Sequence, residues 1–331
     1  MKQDTFTAMV VEEQGDALVF GPKTIGLDDL HQGDVLIKVA YSSVNYKDML
    51  AVQKNAGVIR NYPMIPGIDL AGVVVSSDSP DFSVGQEVLV TGYEMGMSHT
   101  GGFAQYARIP HEWVVPLPAG LSMKDAMIIG TAGLTAGLSV LALENAGMKP
   151  QNAPRLLVTG ASGGVGSVAL AILKHLGYPQ ITALTRKDTQ DELVRKLGAT
   201  DIIKPEQIFL KENPLLLKGI YDYVLDTVGG DVVSHLIPQI DYNGAISLCG
   251  NAAGVKVATN VLPFILRGVQ ALGIDSVQIS HEKRSKVWEK FASEWKICDN
   301  LTYNEIRLEE LPNVIQELKE GRHLGRTIVV F

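Results

Sequence analysis

A chain of 331 residues is longer than one hydrophobic core usually spans, so its length predicts two domains. With 46% hydrophobic and 20% charged residues it has the makeup of a globular enzyme, and a net charge of −7 argues against nucleic-acid binding, which needs a basic surface. Its two cysteines, Cys249 and Cys298, exclude a disulfide framework and a four-cysteine zinc site and suit a reducing, cytoplasmic home.

The start of the chain has no basic segment followed by a continuous apolar run, so no signal peptide is expected. Short β-type runs follow at residues 8–11, 34–41, 70–76, 87–91 and 104–109. Gly33, Gly72, Gly85, Gly92, Gly101 and Gly102 mark bends between or within them. No helix alternates with these strands, which predicts an antiparallel, barrel-like β domain. The longest uncharged apolar stretch, 126–143, is just long enough to raise the question of a membrane span. Gly130, Gly133 and Gly137, with Thr131, Thr135 and Ser139, interrupt it, and the expected reading is a buried core helix.

From there strand and helix alternate. A strand at 155–159 leads through a glycine cluster into a helix at 165–176, where Val165, Val168, Ala169, Ile172, Leu173 and Leu176 share one face and Gly177 ends it. A second strand, 180–185, precedes a helix that Thr189 and Glu192 should open as a capping box and Gly198 should close. Further strands are expected at 202–204, 223–226, 245–248 and 270–274. This βαβ succession predicts a parallel, doubly wound Rossmann sheet. Helices at 283–296 and 309–319 and a last strand at 326–331 follow, and that strand should return to the first domain. The expected division is 1–125 with 276–331 for the β domain and 126–275 for the Rossmann domain.

The segment Gly160-Ala161-Ser162-Gly163-Gly164-Val165-Gly166 has the spacing of a dinucleotide fingerprint, with Ala161 in the first glycine slot. A missing side chain at Gly163 would let backbone N–H groups approach a pyrophosphate, and Gly166 would let helix and strand pack closely. The helix N-terminus adds partial positive charge for the phosphates. About 20 residues further on, an NAD enzyme usually carries a carboxylate for the ribose 2′-hydroxyl. Here stand Thr185, Arg186 and Lys187, which suit a 2′-phosphate and predict NADPH as cofactor. Asp188 leaves open a merely solvated turn.

Together with these glycines, Asn45-Tyr46-Lys47-Asp48, the run from Pro63 through Gly67-Ile68-Asp69 to Gly72, Gly130-Thr131-Ala132-Gly133, Leu197-Gly198-Ala199 and Asp226-Thr227-Val228-Gly229 carry a family likeness. The chain resembles the zinc-free medium-chain dehydrogenases/reductases, with their GroES-like catalytic domain, and within them the quinone oxidoreductase-like YhdH/YhfP (acrylyl-CoA reductase-like) branch. In zinc-dependent relatives the turn at Gly67-Ile68-Asp69 carries histidine and glutamate, and a cysteine precedes the Asn45 region. Ile68 cannot bind a metal and no cysteine precedes Cys249, so no metal site is expected.

The resemblance implies hydride transfer to a conjugated acceptor: a short α,β-unsaturated acyl-CoA such as acrylyl-CoA, or alternatively a quinone. It places Tyr46 at the nicotinamide and its phosphates, where its hydroxyl could also donate a proton or hold the substrate carbonyl. The ring could equally pack on the sheet. Asn45 could orient the loop, and Tyr46 and Asn45 are the candidate catalytic residues. Thr131 could reach the nicotinamide amide or ribose, although helix packing explains its segment as well. Cys249, Gly250 and Asn251, after the predicted fifth strand, should touch the ribose or nicotinamide, with the cysteine a small buried residue rather than a nucleophile. Ile265 and Ser276 join the cofactor set by resemblance. The partners implied are a small-molecule substrate and a second copy of the chain, paired through residues 270–274, with no nucleic acid and no membrane. A non-catalytic dinucleotide- or RNA-binding protein is the competing class.

Overall fold

The computed structural model describes residues 5–186, 188–209 and 215–331. The chain divides into two compact units, Met1–Thr131 with Val277–Glu294 and Tyr303–Phe331, and Ala132–Ser276 with Trp295–Thr302.

The first unit opens with the antiparallel hairpin of β1 (Phe6–Gln14) and β2 (Ala17–Ile25). It continues with β3 (Val35–Ser43), the short helix α1 (Tyr46–Ala51), β4 (Asp69–Ser77), β5 (Glu87–Thr91), β6 (Tyr106–Ile109) and β7 (Val115–Pro116). Alternating residues of these strands point inward: Val35, Ile37 and Val39 pack with Leu70, Val74, Val88, Val90, Ala107 and Ile109 in one core. Helix α2 (Met123–Asn145) is long and apolar enough to cross a membrane by length and composition, yet 83% of its most apolar stretch is buried inside the protein. It breaks at Gly130, whose φ of 53° and ψ of −163° lie outside the helical range.

The second unit is a six-stranded sheet of order β10–β9–β8–β11–β12–β13, all of whose pairings are parallel. Its strands are β8 (Leu156–Val158), β9 (Ile181–Leu184), β10 (Asp201–Ile203), β11 (Tyr221–Asp226), β12 (Ile240–Leu248) and β13 (Gln270–Gly273). The helices between them are α3 (Gly164–His175), α4 (Asp191–Leu197), α5 (Gly230–Leu236) and α6 (Leu262–Arg267). Strand order reverses beside β8, and in such sheets ligands bind at the carboxyl ends of the strands that flank the reversal. Buried Leu157, Leu184, Val224, Val233, Leu236 and Ile246 fill the core of this unit.

The chain then completes the first unit with α7 (His281–Ser293), β14 (Tyr303–Arg307), α8 (Leu311–Lys319) and β15 (Arg326–Val330). β15 pairs antiparallel with β3, as the predicted return of the last strand requires. The resulting path is β14–β15–β3–β4–β5–β7, with β6 also on β3.

The structure departs from the expected elements in more than its short helices α1, α5 and α6 and strand β7. The β unit is not wholly antiparallel, because β14 runs parallel to β15. β2 and β14 lie outside the expected strands, since their largely exposed faces leave no apolar alternation in the sequence. The Thr189–Glu192 capping box does not form. A 3₁₀ turn, Asp188–Gln190, precedes α4, whose first residue Asp191 is held by hydrogen bonds from Lys204 and Thr185.

Candidate active site

The loop after β8 shows why glycines are needed there. Gly160 has φ +56°, and a β-carbon on it would lie 2.3 Å from Thr227 Oγ1. A β-carbon on Gly166 would lie 2.3 Å from the Gly160 carbonyl oxygen, so helix and loop touch backbone to backbone. At Gly163 the nearest atom, the Gly160 carbonyl oxygen, would be 3.2 Å away, a contact tight enough that the loop would have to give slightly but far looser than at Gly160 or Gly166. The sterically obligatory turn glycine is thus Gly160, one position before the slot assigned to Ala161. Ser162 is buried, while Gly163, Gly164 and Val165 are half-exposed around the first turn of α3. The first-turn N–H groups of a helix have no acceptor within it and are available to an anion.

Beside this loop a buried network ties β8 to β11. Thr159 Oγ1 donates to Asp226 at 2.7 Å and accepts from the Thr227 N–H at 2.9 Å, while Asp226 also accepts from the Gly229 N–H at 2.8 Å. Burial raises the Asp226 carboxyl above its ordinary value against the pull of these donors. A β-carbon on Gly250 would lie 1.8 Å from the Thr227 carbonyl oxygen, so the loop after β12 also needs a glycine. The Cys249 thiol donates to the Asp226 carbonyl at 3.1 Å, and burial pushes its pKa up to about 12, which leaves no thiolate to attack anything near neutral pH. Asn251 is exposed next to it. Ile265 is 68% exposed on α6. Buried Ser276 accepts a hydrogen bond from Thr135 Oγ1 at 2.7 Å.

At the ends of β9 and β10 the structure adds a residue that the glycine spacing did not reveal. Lys204, just after β10, places its ammonium 3.1 Å from Thr185 Oγ1 and within 2.7 Å of Asp191 and 3.1 Å of Asp188. Burial works against its charge, but the two carboxylates outweigh it and raise the lysine pKa. Arg186 is exposed beside this cluster, and Lys187 lies outside the described residues. Parallel pairing of β10 with β9 brings residues 19 apart in sequence together, which no local pattern signals.

In the first unit the candidate residues gather around a carboxylate. Asp69, first residue of β4, is fully buried. It accepts from Ser43 Oγ at 2.6 Å, Asn45 Nδ2 at 2.7 Å, the Thr131 N–H at 2.8 Å and Thr131 Oγ1 at 2.5 Å. The break at Gly130 makes the Thr131 amide available, and only glycine fits there. A β-carbon would lie 2.5 Å from Ser43 Oγ and 2.7 Å from both Asp69 Oδ2 and Arg326 Nη2. Buried Arg326 donates to the Ile128 carbonyl at 2.9 Å, the Val44 carbonyl at 3.2 Å and Ser43 Oγ at 3.1 Å. It thereby caps a carbonyl of the helix segment before the break.

A second buried carboxylate, Asp48, holds the start of α1. It accepts from the Asn45 N–H at 2.8 Å and the Ile68 N–H at 3.1 Å. Burial first, and the nearby Asp69 charge second, raise its pKa to about 7. On its apolar side α1 inserts Met49 into a cluster with Leu311, Val314 and Ile315 of α8. Each buried side chain of that kind is worth about 1.5–3 kcal/mol. The helix is therefore fixed, yet Tyr46 at its first position is 45% exposed and its hydroxyl has no hydrogen-bond partner among the described residues. Ile68, in the turn where zinc-dependent relatives carry a ligand, is 2% exposed and apolar, and the Asp69 carboxylate is already occupied by four donors.

Comparison with known proteins matches both units. Residues 31–119 match the alcohol dehydrogenase GroES-like domain and residues 164–293 the zinc-binding dehydrogenase domain. YhfP of Bacillus subtilis, which carries a provisional quinone oxidoreductase name, is 43% identical over 98% of each chain. Acrylyl-CoA reductase AcuI of Ruegeria pomeroyi is 40% identical over 98% of each chain. The yhdH oxidoreductase of Salmonella enterica, solved in complex with NADP, superposes with a TM-score of 0.94 at 40% identity, covering 98% of this chain and 99% of that one. The yhfP protein of Bacillus subtilis, solved with NAD bound, gives 0.95 at 42% identity over 99% of both. With a GroES-like unit, a doubly wound parallel sheet and these full-length relatives, the chain belongs to the medium-chain dehydrogenase/reductase family of oxidoreductases, in its zinc-free quinone oxidoreductase and acrylyl-CoA reductase branch.

Proposed function

We propose that this protein reduces the activated double bond of a short α,β-unsaturated acyl-CoA, of the acrylyl-CoA class, with NADPH as the hydride source. The observation that carries this reading is the full-length identity to an acrylyl-CoA reductase. When bound, NADPH supplies a hydride for the β-carbon of the conjugated thioester, and a proton then completes the α-carbon. The glycine loop 160–166 and the N-terminus of α3 hold the pyrophosphate. Thr185, Arg186, Lys187 and Lys204 receive the 2′-phosphate, and Cys249, Gly250, Asn251, Ile265 and Ser276 complete the cofactor set. Cofactor choice rests on these cations, because a relative in the same branch was solved with NAD.

In the first unit Tyr46 is the proposed catalytic residue, since its exposed hydroxyl can donate to the developing enolate oxygen or supply the proton. Asn45 and Thr131 line the same cluster. A quinone is the second reading for the acceptor, supported by the provisional name of YhfP. We further place the protein in the cytoplasm as a homodimer without nucleic-acid or membrane partners. Its free cysteines, net charge of −7 and exposed edge strand β13 support this. Absorbance at 340 nm, followed with NADPH and acrylyl-CoA beside NADH and 1,4-benzoquinone, tests the reaction. Turnover with NADPH and acrylyl-CoA is expected, and turnover with the quinone alone would replace the first reading by the second.

A further inference from the structure

Two loops of the first unit, around residues 57–61 and 94–98, line a cleft of about 470 Å³, a size usual for small-molecule sites. Local structure fixes both walls. Ile59 is buried in a cluster with Val11, Ala51 and Met64, and the Tyr62 hydroxyl donates to the Ile59 carbonyl at 3.3 Å. On the other wall the Met97, Ser98 and His99 N–H groups donate to the Glu94 carbonyl at 3.1, 3.2 and 3.1 Å. Gly96 of that turn lies against Gly67, where a β-carbon on Gly96 would stand 2.8 Å from the Gly67 backbone. Both walls are thereby tied to α1. Residues 52–57 are the chain leaving its C-terminus, and Gly67 leads into Asp69, which accepts from Asn45, the residue before Tyr46.

The lining is amphipathic and carries an unpaired charge. Val58 and Met97 give half-buried apolar surface, and Asn61 offers an amide. The Glu94 carboxylate accepts from neutral donors alone among the described residues, Ser98 Oγ and Gln278 Nε2. Arg60 is exposed and has no hydrogen-bond, ion-pair or ring partner among the described residues.

We propose that this cleft is the subsite for the pantetheine and phosphate portion of the acyl-CoA, and that Arg60 binds one of its phosphates. The subsite rests on the acyl-CoA reading above, and it separates the two acceptor classes, because a quinone carries neither amides nor phosphates. The pantetheine arm is a chain of methylenes and amides, which suits Val58 and Met97 beside Asn61 and Glu94. A guanidinium matches two N–H donors to two phosphate oxygens. Helix α1 is about 9 Å long, shorter than an extended pantetheine arm, so a thioester held at Tyr46 on its first turn reaches past its far end.

The test measures dissociation constants of propionyl-CoA, the product, and of propionyl-pantetheine, which has the arm without the phosphates, for the full-length wild type, Arg60→Gln and Arg60→Lys. NADP+ is kept saturating, so that the adenosine phosphates of CoA do not settle in the cofactor site. The wild type should bind propionyl-CoA about tenfold more tightly than propionyl-pantetheine, the scale of a hydrogen bond to a charged group. Arg60→Gln should lose that advantage and hold propionyl-pantetheine within about twofold of wild type, while Arg60→Lys keeps the charge and part of the advantage. In turnover, Arg60→Gln should raise the KM for acrylyl-CoA about tenfold and leave kcat and the NADPH KM unchanged. Arg60 is exposed and makes no bond that the fold needs, so the variant is expected to fold. Equal propionyl-CoA affinities in wild type and Arg60→Gln, or an equal loss for propionyl-pantetheine, would overturn the proposal. Turnover of acrylyl-CoA with a KM indifferent to Arg60→Gln would overturn the subsite alone. A wild type that binds propionyl-CoA through Arg60 but does not reduce acrylyl-CoA would overturn the reductase reading and keep the subsite, since these affinities need no turnover.

Discussion

Gly166 and Gly160 meet so closely that a β-carbon on the first would lie 2.3 Å from the carbonyl oxygen of the second. That contact seats α3 against the end of β8 and sets where the first-turn N–H groups point. Gly166→Ala must push helix and loop apart, at a cost of about 1–3 kcal/mol. A thermal melt should show the loss, and NADPH affinity should fall with it. Gly163→Ala brings its β-carbon to 3.2 Å from the Gly160 carbonyl oxygen, a tight contact that a small shift relieves, so it should lower the melting temperature less than Gly166→Ala while weakening NADPH, because its new methyl group occupies the space proposed for the pyrophosphate. Equal stability losses at the two positions would contradict this division of roles.

Lys204 provides a cation without local sequence precedent beside Thr185. Lys204→Gln is expected to raise the NADPH KM roughly tenfold, the scale of a hydrogen bond to a charged group. The NADH KM should hardly move, since NADH has no 2′-phosphate. Equal shifts for both cofactors would mean that Lys204 only secures the start of α4 through Asp191.

The buried Asp48 carboxyl titrates at about 7 in the folded protein, raised by burial and by Asp69. In the unfolded chain the same group titrates near ~4. Between these values the native state holds more protons than the unfolded one, so this group's contribution favours folding at low pH and is lost as pH rises to about 7. Asp69, Arg326 and His323 surround the cluster, and burial holds the His323 imidazole down at about 4, so it stays neutral through this range. Asp48→Asn removes the titration and gives up one acceptor. The melting temperature of the variant relative to wild type should therefore be higher at pH 8 than at pH 5.5. A difference independent of pH would show that Asp48 does not titrate in this range.

Tyr46→Phe keeps the ring and removes the one hydroxyl proposed to reach the substrate. It should lower kcat/KM for acrylyl-CoA by roughly 10²-fold, the usual worth of a positioned acid, and leave the NADPH dissociation constant close to wild type. Unchanged kcat/KM would remove Tyr46 from the chemistry.

The sequence makes legible the alternation of strand and helix after residue 150, the glycine loop and the apolar run over 126–143, because each is a local pattern of side-chain period, turn glycines or unbroken apolarity. It also determined the family likeness, carried by short motifs such as Asn45-Tyr46-Lys47-Asp48. Exposed strands such as β14 escaped, since a strand held by backbone pairing alone leaves no hydrophobic alternation to read.

Which distant polar groups share a buried site depends on how the folded chain brings them together. Asp69 and Thr131 stand 62 residues apart, and their contact depends on a helix broken at a single glycine. Lys204 reaches Thr185 only because β10 lies parallel beside β9. A buried carboxylate takes its partners from whatever the fold places within hydrogen-bond reach, and that geometry exists only once the sheets have closed.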